Sequence, residues 1–162
     1  MMDRIREEIE KGGAVVLPTE TVYGLFAKAL DEKAVDHVYQ LKRRPRDKAL
    51  NLNIASLEDL LNFSKNQPTY LQKLVETFLP GPLTIILEAN DRVPYWVNSG
   101  LETVGFRMPS HPITLDLIRE TGPLIGPSAN ISGHASGVTF DQILKDFDQE
   151  VLGLEDDVFL TG

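Results

Sequence analysis

The chain of 162 residues predicts an α/β fold, one domain over residues 1–162 built around a single twisted, mixed sheet. Three observations carry this. Apolar runs such as Ala14–Leu17, Leu83–Leu87 and Thr103–Met108 have the length of strands, and Pro18 and Pro109 close the first and last. Between such runs lie stretches whose apolar residues recur at spacings of three and four, several of them opened by Asp, Ser or Thr. No repeat, low-complexity tract or linker interrupts the alternation, and a chain of this length buries about two thirds of its unfolded surface without needing a metal or disulfide.

Residues 3–11 read as a short amphipathic helix, with Ile5 and Ile9 four apart and Gly12-Gly13 as its stop. Ala14-Val15-Val16-Leu17 is a buried strand, followed by the hydroxyl-rich segment Thr19-Glu20-Thr21-Val22-Tyr23-Gly24. Asp31 caps a helix to about Arg43, whose apolar stripe is Ala34, Val35, Val38, Tyr39 and Leu41. Pro45 disfavours helix at Arg44 and supports the stop. Leu50–Ile54 alternates with period two and reads as a strand with one polar face. Ser56-Leu57-Glu58-Asp59 opens a helix with a pattern like a capping box. Pro68 starts another, with Tyr70, Leu71, Leu74 and Phe78 along one face. Pro80-Gly81-Pro82 is read as a rigid break before the strand Leu83–Leu87. After the strand Thr103–Met108, a helix over roughly 112–121 stops at Gly122 and leads to Leu124-Ile125. Thr139-Phe140-Asp141-Gln142 is a capping box opening a last helix to about Phe147.

The absence of cysteine excludes a disulfide framework, a thiolate nucleophile and Cys-based zinc or iron–sulfur sites. His37, His111 and His134 show no HExxH spacing, which argues against a zinc enzyme. Ser128 is not framed by glycines on both sides as a nucleophile elbow requires. With no signal-like start and no apolar run near 18 residues, the expected location is cytoplasmic, without membrane contact. The net charge of −8 is unevenly spread. Residues 42–48 (Lys-Arg-Arg-Pro-Arg-Asp-Lys) hold five cations and one anion, or +4, leaving 11 Lys+Arg against 23 Asp+Glu, or −12, elsewhere. One short basic cluster in an acidic body disfavours binding along a long nucleic acid and suits one compact anion such as a nucleotide triphosphate.

Four segments place polar groups at predicted strand ends, where open sheets hold their ligands. Thr19, Thr21 and Tyr23 form a hydroxyl cluster that could bind a small polar molecule or satisfy its own turn. Lys42 and Arg44, if extended, could converge on phosphate oxygens. Thr103 and Arg107 share one face of their strand, and an inward arginine there needs an anionic partner, either a structural carboxylate or that of a substrate. Pro127–Gly133 combines small polar residues and glycine, as a ligand-approaching backbone or an ordinary tight turn does.

In combination these segments resemble the YrdC-type threonylcarbamoyl-AMP synthases. Pro18-Thr19-Glu20-Thr21-Val22-Tyr23-Gly24-Leu25, Lys42-x-Arg44-Pro45, Pro80-Gly81-Pro82-Leu83-Thr84, Arg107-x-Pro109-x-His111 and Ser128-Ala129-Asn130-x-Ser132-Gly133 stand in that family's order. The resemblance implies a sheet curved around a large, positively charged concave cavity. It implies a nucleotidyltransferase that converts L-threonine, bicarbonate and ATP into threonylcarbamoyl-AMP and pyrophosphate, towards the t6A modification of tRNA. By position it implies ATP contacts from Lys42, Arg44, Lys48, Thr103, Ser128, Asn130 and Ser136. Thr21, Asn53, Arg107 and Gly126 fall on threonine positions, and Thr19, Tyr23, His111 and Ser132 on other parts of the cavity. Mg²⁺ is the expected companion of the triphosphate, and no acid, base, nucleophile or metal ligand is assigned. The tRNA-modifying proteins of the t6A pathway are the expected partners, with tRNA or double-stranded RNA as weaker ones.

Two departures stand out. Where the family has Pro-Leu-x-x-His, this chain has Ala49-Leu50-Asn51-Leu52-Asn53, so Asn53 replaces a histidine and can hydrogen-bond without taking a proton. The family's later Ser-Thr-Val-Asp and Arg-x-Gly stretches do not appear before Gly162, so the expectation is a truncated form or a relative lacking part of the ATP site. The alternative from another class is a catalytically weak module that binds nucleotide or double-stranded RNA.

Overall fold

A computed structural model describes residues 2–130, 139–147 and 151–156. Among them the order is α1 (Met2–Glu10), β1 (Val15–Leu17), β2 (Gly24–Lys28), α2 (Glu32–Lys42), β3 (Leu52–Asn53), α3 (Leu57–Phe63), β4 (Ser64–Lys65) and α4 (Leu71–Phe78). Then follow β5 (Gly81–Ala89), α5 (Tyr95–Asn98), β6 (Thr103–Met108), α6 (Pro112–Thr121), β7 (Leu124–Ile125), α7 (Phe140–Asp146) and β8 (Leu152–Gly153). The strands form one mixed sheet in the order β4-β5-β6-β3-β7-β2-β1-β8. No helix among the described residues is long and apolar enough to cross a membrane.

The predicted caps form. The Asp31 carboxylate accepts from the backbone N–H of Lys33 and Ala34, Ser56 Oγ from Asp59, and Thr139 Oγ1 from Gln142. α2 ends at Lys42 because Arg43 turns left-handed, φ 53°. α6 takes its cap from His111, whose imidazole Nδ1 accepts the Ile113 N–H.

Other expectations need correction. β2 was not predicted, because Gly24–Ala27 are buried without alternation and follow a polar loop. β5 starts at Gly81, so Pro80-Gly81-Pro82 is no break before it. A register shift between Gly81 and Ile85 accommodates Pro82, which has no N–H for the ladder. Of the predicted strand 50–54 only Leu52–Asn53 pairs. α4 buries Leu71 and Val75, while Tyr70 and Phe78 face solvent.

Alternation along the strands sends apolar side chains to both faces of the sheet. One face carries Val16, Leu25, Leu52, Ile85, Val104, Phe106 and Ile125, covered by α2 to α5 through residues such as Val35, Val38, Leu60, Val75 and Val97. On the other face Val15, Leu17, Phe26 and Leu124 pack against Ile5 and Ile9 of α1 and Leu117 and Ile118 of α6. That second layer covers only part of the sheet: no residue of β3, β5 or β6 belongs to its buried cluster. Over β5 and β6 the same face is open, with Ile86 67% exposed and Arg107 half-buried, while Asn53 of β3 is buried. The cleft described next opens where this layer ends.

Candidate active site

Arg107 pairs in register with Asn53, and Asn53 with Leu124, so all three side chains lie on the face that α1 and α6 cover only in part. Leu124 is under the helical layer; Asn53 and Arg107 line a cleft of about 220 Å³. Its other walls come from Thr19 and Tyr23 of the β1–β2 loop, Arg44 after α2, and Gly126 and Ser128 after β7. Both Gly24 and Gly126 lie against the Phe26 ring, which a Cβ at either position would strike. Bare backbone there brings the cleft floor down onto the core.

The β1–β2 loop is held by its own hydroxyls. Thr19 Oγ1 accepts from the N–H of Thr21 and Val22 at 3.2 Å each and donates to the Val22 carbonyl. Thr114 Oγ1 of α6 donates to the Pro18 carbonyl at 2.7 Å. This loop carries Glu20, whose Oε1 receives Arg107 Nη2 at 3.4 Å. The arginine's predicted anionic partner is therefore a protein carboxylate, but an incomplete one. Arg107 Nε and Glu20 Oε2 are both buried and make no hydrogen bond among the described residues.

Lys42 and Arg44 do not converge, because Lys42 is still helical. Lys42 is 1% exposed, and its ammonium donates to the carbonyls of Ser128 and Asn130, at 2.6 Å each, and to Asn130 Oδ1 at 3.3 Å. Burial pushes its pKa down to about 8, and the nearby Arg44 charge adds to this. Lys42 thus pins the turn over residues 128–130 from behind and does not line the cleft. Ser128 Oγ donates to Asn130 Oδ1, closing the turn on itself. Arg44 does line the cleft, with Nη2 donating to the Ala49 carbonyl at 2.9 Å. The rest of the basic run disperses: Arg46 pairs with Asp36 and lies over the Tyr39 ring, while Arg43 and Lys48 are exposed. The expected +4 grip reduces to one arginine at the cleft and one lysine behind it.

Of the residues singled out in the sequence, Thr19, Tyr23, Arg44, Asn53, Arg107, Gly126 and Ser128 line this one cleft. Thr21 is exposed beside them, its Oγ1 3.2 Å from Thr19 Oγ1. Thr103 shares the face of Arg107 but is exposed and lies about 13 Å along the strand, outside the cleft lining. Asn130 is buried behind the turn. His111 is not a cavity residue: it is 2% exposed, caps α6, and its Nε2 is 2.8 Å from Asp156 Oδ2. The expectations at Ser132 and Ser136 lie outside the described residues. Sequence reasoning passed over Glu20, although it is the sole charge in its loop, and Asn51, whose Oδ1 crowds the space a Cβ at Gly105 would need.

The profile of the Sua5/YciO/YrdC family, described as "Telomere recombination", matches residues 7–158. The chain belongs to this family. Among curated relatives, the threonylcarbamoyl-AMP synthase of Pyrococcus abyssi is 45% identical over 140 residues, 86% of this chain and 41% of that protein. The threonylcarbamoyl-AMP synthase of Bacillus subtilis is 41% identical over 150 residues, 91% of this chain and 43% of that protein. A crystal structure of P. abyssi Sua5 complexed with L-threonine superposes with a TM-score of 0.88 at 41% identity, covering 94% of this chain and 45% of that one. The α/β fold expected for the family is the fold observed. This member spans less than half the length of each of these three relatives.

Proposed function

We propose that the cleft joins L-threonine, bicarbonate and ATP into threonylcarbamoyl-AMP and releases pyrophosphate. The observation that carries this is two guanidinium groups, Arg107 and Arg44, in the lining of one cleft that also holds Asn53, Ser128 and bare glycine backbone. Arg107 suits an amino-acid carboxylate, and Asn53 beside it suits the threonine hydroxyl. Arg44 and the 126–128 backbone suit the phosphates. The membership of this chain among relatives named threonylcarbamoyl-AMP synthases supports the same reading.

Chemically, the threonine nitrogen attacks the carbon of bicarbonate or dissolved carbon dioxide, and a carbamate oxygen then attacks the α-phosphorus of ATP. The bond from that phosphorus to the bridging oxygen breaks and pyrophosphate leaves. Transfer of this kind depends on alignment and on neutralising phosphate charge, which fixed cations supply. No group of three or more His, Cys, Asp or Glu side chains gathers among the described residues to cage a metal. Mg²⁺ therefore fits this reading as part of the nucleotide substrate, carried on its phosphates. In this reading residues 1–162 act as one domain in the cytoplasm, and the product passes to the tRNA-modifying proteins of the t6A pathway.

The test is pyrophosphate release by the folded chain, expected to require both L-threonine and bicarbonate. Folded protein that releases none sinks the proposal. Arg44→Ala should weaken ATP at least tenfold more than threonine, read by calorimetry, since a charge-assisted bond contributes about 1.5–3 kcal/mol. Equal losses contradict the assigned roles.

A further inference from the structure

Glu20 and Arg107 meet in a way that a structural ion pair does not. A guanidinium and a carboxylate held together for stability commonly form two parallel bonds of about 2.7–2.9 Å. Here a single contact of 3.4 Å joins Arg107 Nη2 to Glu20 Oε1. The side chains are only 24% and 14% exposed. Each keeps one buried atom with no partner among the described residues: Nε, a donor on a cation, and Oε2, an acceptor on an anion. Arg107 is in the cleft lining, and Glu20 touches it from just outside that lining, so a ligand held by Arg107 lies next to Glu20. Leaving such atoms unpaired is costly, so the arrangement makes sense when a third group completes it. That group must carry an acceptor and a donor of opposite charge within one small unit. A simple anion satisfies Arg107 but is repelled by Glu20; a simple amine does the reverse. An α-amino acid zwitterion satisfies both, its carboxylate at Arg107 and its ammonium at Glu20.

We propose that Glu20 binds the ammonium of the amino-acid substrate and takes the proton that must leave it before nitrogen can attack carbon. This inference rests on the threonine reading above. It assigns the chemistry as follows. The ammonium N–H bond breaks and an O–H bond forms on Glu20 Oε2, giving a neutral amine and a neutral carboxyl. The nitrogen lone pair then bonds to the carbon of bicarbonate. One amine hydrogen and the bicarbonate hydroxyl leave as water, and the carbamate keeps the negative charge. Glu20 later returns its proton to solvent. The loop is built to hold this carboxylate in place, through Thr19 Oγ1 to the N–H groups of Thr21 and Val22 and through Thr114 to Pro18.

The experiment is calorimetry on the full chain with L-threonine, with 2,3-dihydroxybutanoate (the same skeleton bearing hydroxyl in place of ammonium) and with ATP. Wild type should bind threonine at least tenfold more tightly than the hydroxy acid. Glu20→Gln should lose 10- to 100-fold in threonine affinity, bind the hydroxy acid at least as well as before, and bind ATP within twofold of wild type. A Gln variant that keeps the preference for threonine overturns the inference, as does one whose ATP and threonine affinities fall together. If Glu20→Gln does not fold, the wild type alone still decides: equal affinity for threonine and the hydroxy acid refutes ammonium recognition while leaving a threonine-like site. Wild type that binds no threonine refutes the underlying reading instead. With threonine saturating, Glu20→Gln should release pyrophosphate at least 100-fold more slowly; an unchanged rate refutes the proton-accepting role.

Discussion

Raising the pH from 7 to 10 should stabilise this protein through Lys42. The folded lysine gives up its proton near pH 8, whereas in the unfolded chain it does so near the ordinary 10.5. Between those values the unfolded state holds one more proton, so stability rises with pH. Below pH 8 the buried ammonium costs about 3 kcal/mol, because each step of one in pKa is about 1.4 kcal/mol. From pH 7 to pH 10 the protein recovers about 2–3 kcal/mol of this. Other groups titrate in that range, so the measurement is a difference. Lys42→Met keeps the length of the stem and removes the titration. Urea unfolding of both proteins at several pH values gives the two stabilities, and wild type minus variant should rise by about 2–3 kcal/mol. Tyr39 titrates in the opposite sense. Burial first, opposed by Arg44 and Arg46, raises its pKa, so its contribution is present below pH 10 and lost above. It stands in both proteins and cancels. A flat difference would refute the reasoning: it would mean that the oxygens of Ser128 and Asn130 replace water around the ammonium completely.

Two further outcomes follow from the cleft walls. Gly126→Ala would drive a methyl group into the Phe26 ring and should cost about 1–3 kcal/mol in urea unfolding, as overpacking does. Adding Phe26→Leu should return part of that loss, and a neutral Gly126→Ala would show that the ring moves freely. Thr114→Val leaves the Pro18 carbonyl without its donor and should cost about 1–3 kcal/mol of stability. Because that bond anchors the loop of Thr19 and Glu20, calorimetry should show threonine weakened more than ATP, and Thr114→Ser should restore both.

Local structure was legible wherever its cause lay within a few residues. Asp31, Ser56 and Thr139 cap their helices through N–H groups two or three positions on, and such bonds can be read from a string of letters. The shared face of Thr103 and Arg107 follows from strand alternation alone. β2 and β8 were not legible. β8 meets its partner across the chain, Leu152 opposite Val15, while β2 pairs with its neighbour β1 but is buried on both faces and shows no period.

The family motifs, the α/β class and most of the cleft-lining residues were determined by the sequence itself, through patterns that repeat at short range. The roles of individual charges were decided only in three dimensions. Lys42 looked like a phosphate ligand and is a buried strut, because it meets oxygens 86 and 88 residues away. Arg107 needed an anion, and folding supplied Glu20 from 87 residues away while leaving both partners half satisfied. The physical reason is the same in each case. A charge acts according to the polar atoms that replace its water, and contacts made across the fold bring those atoms together.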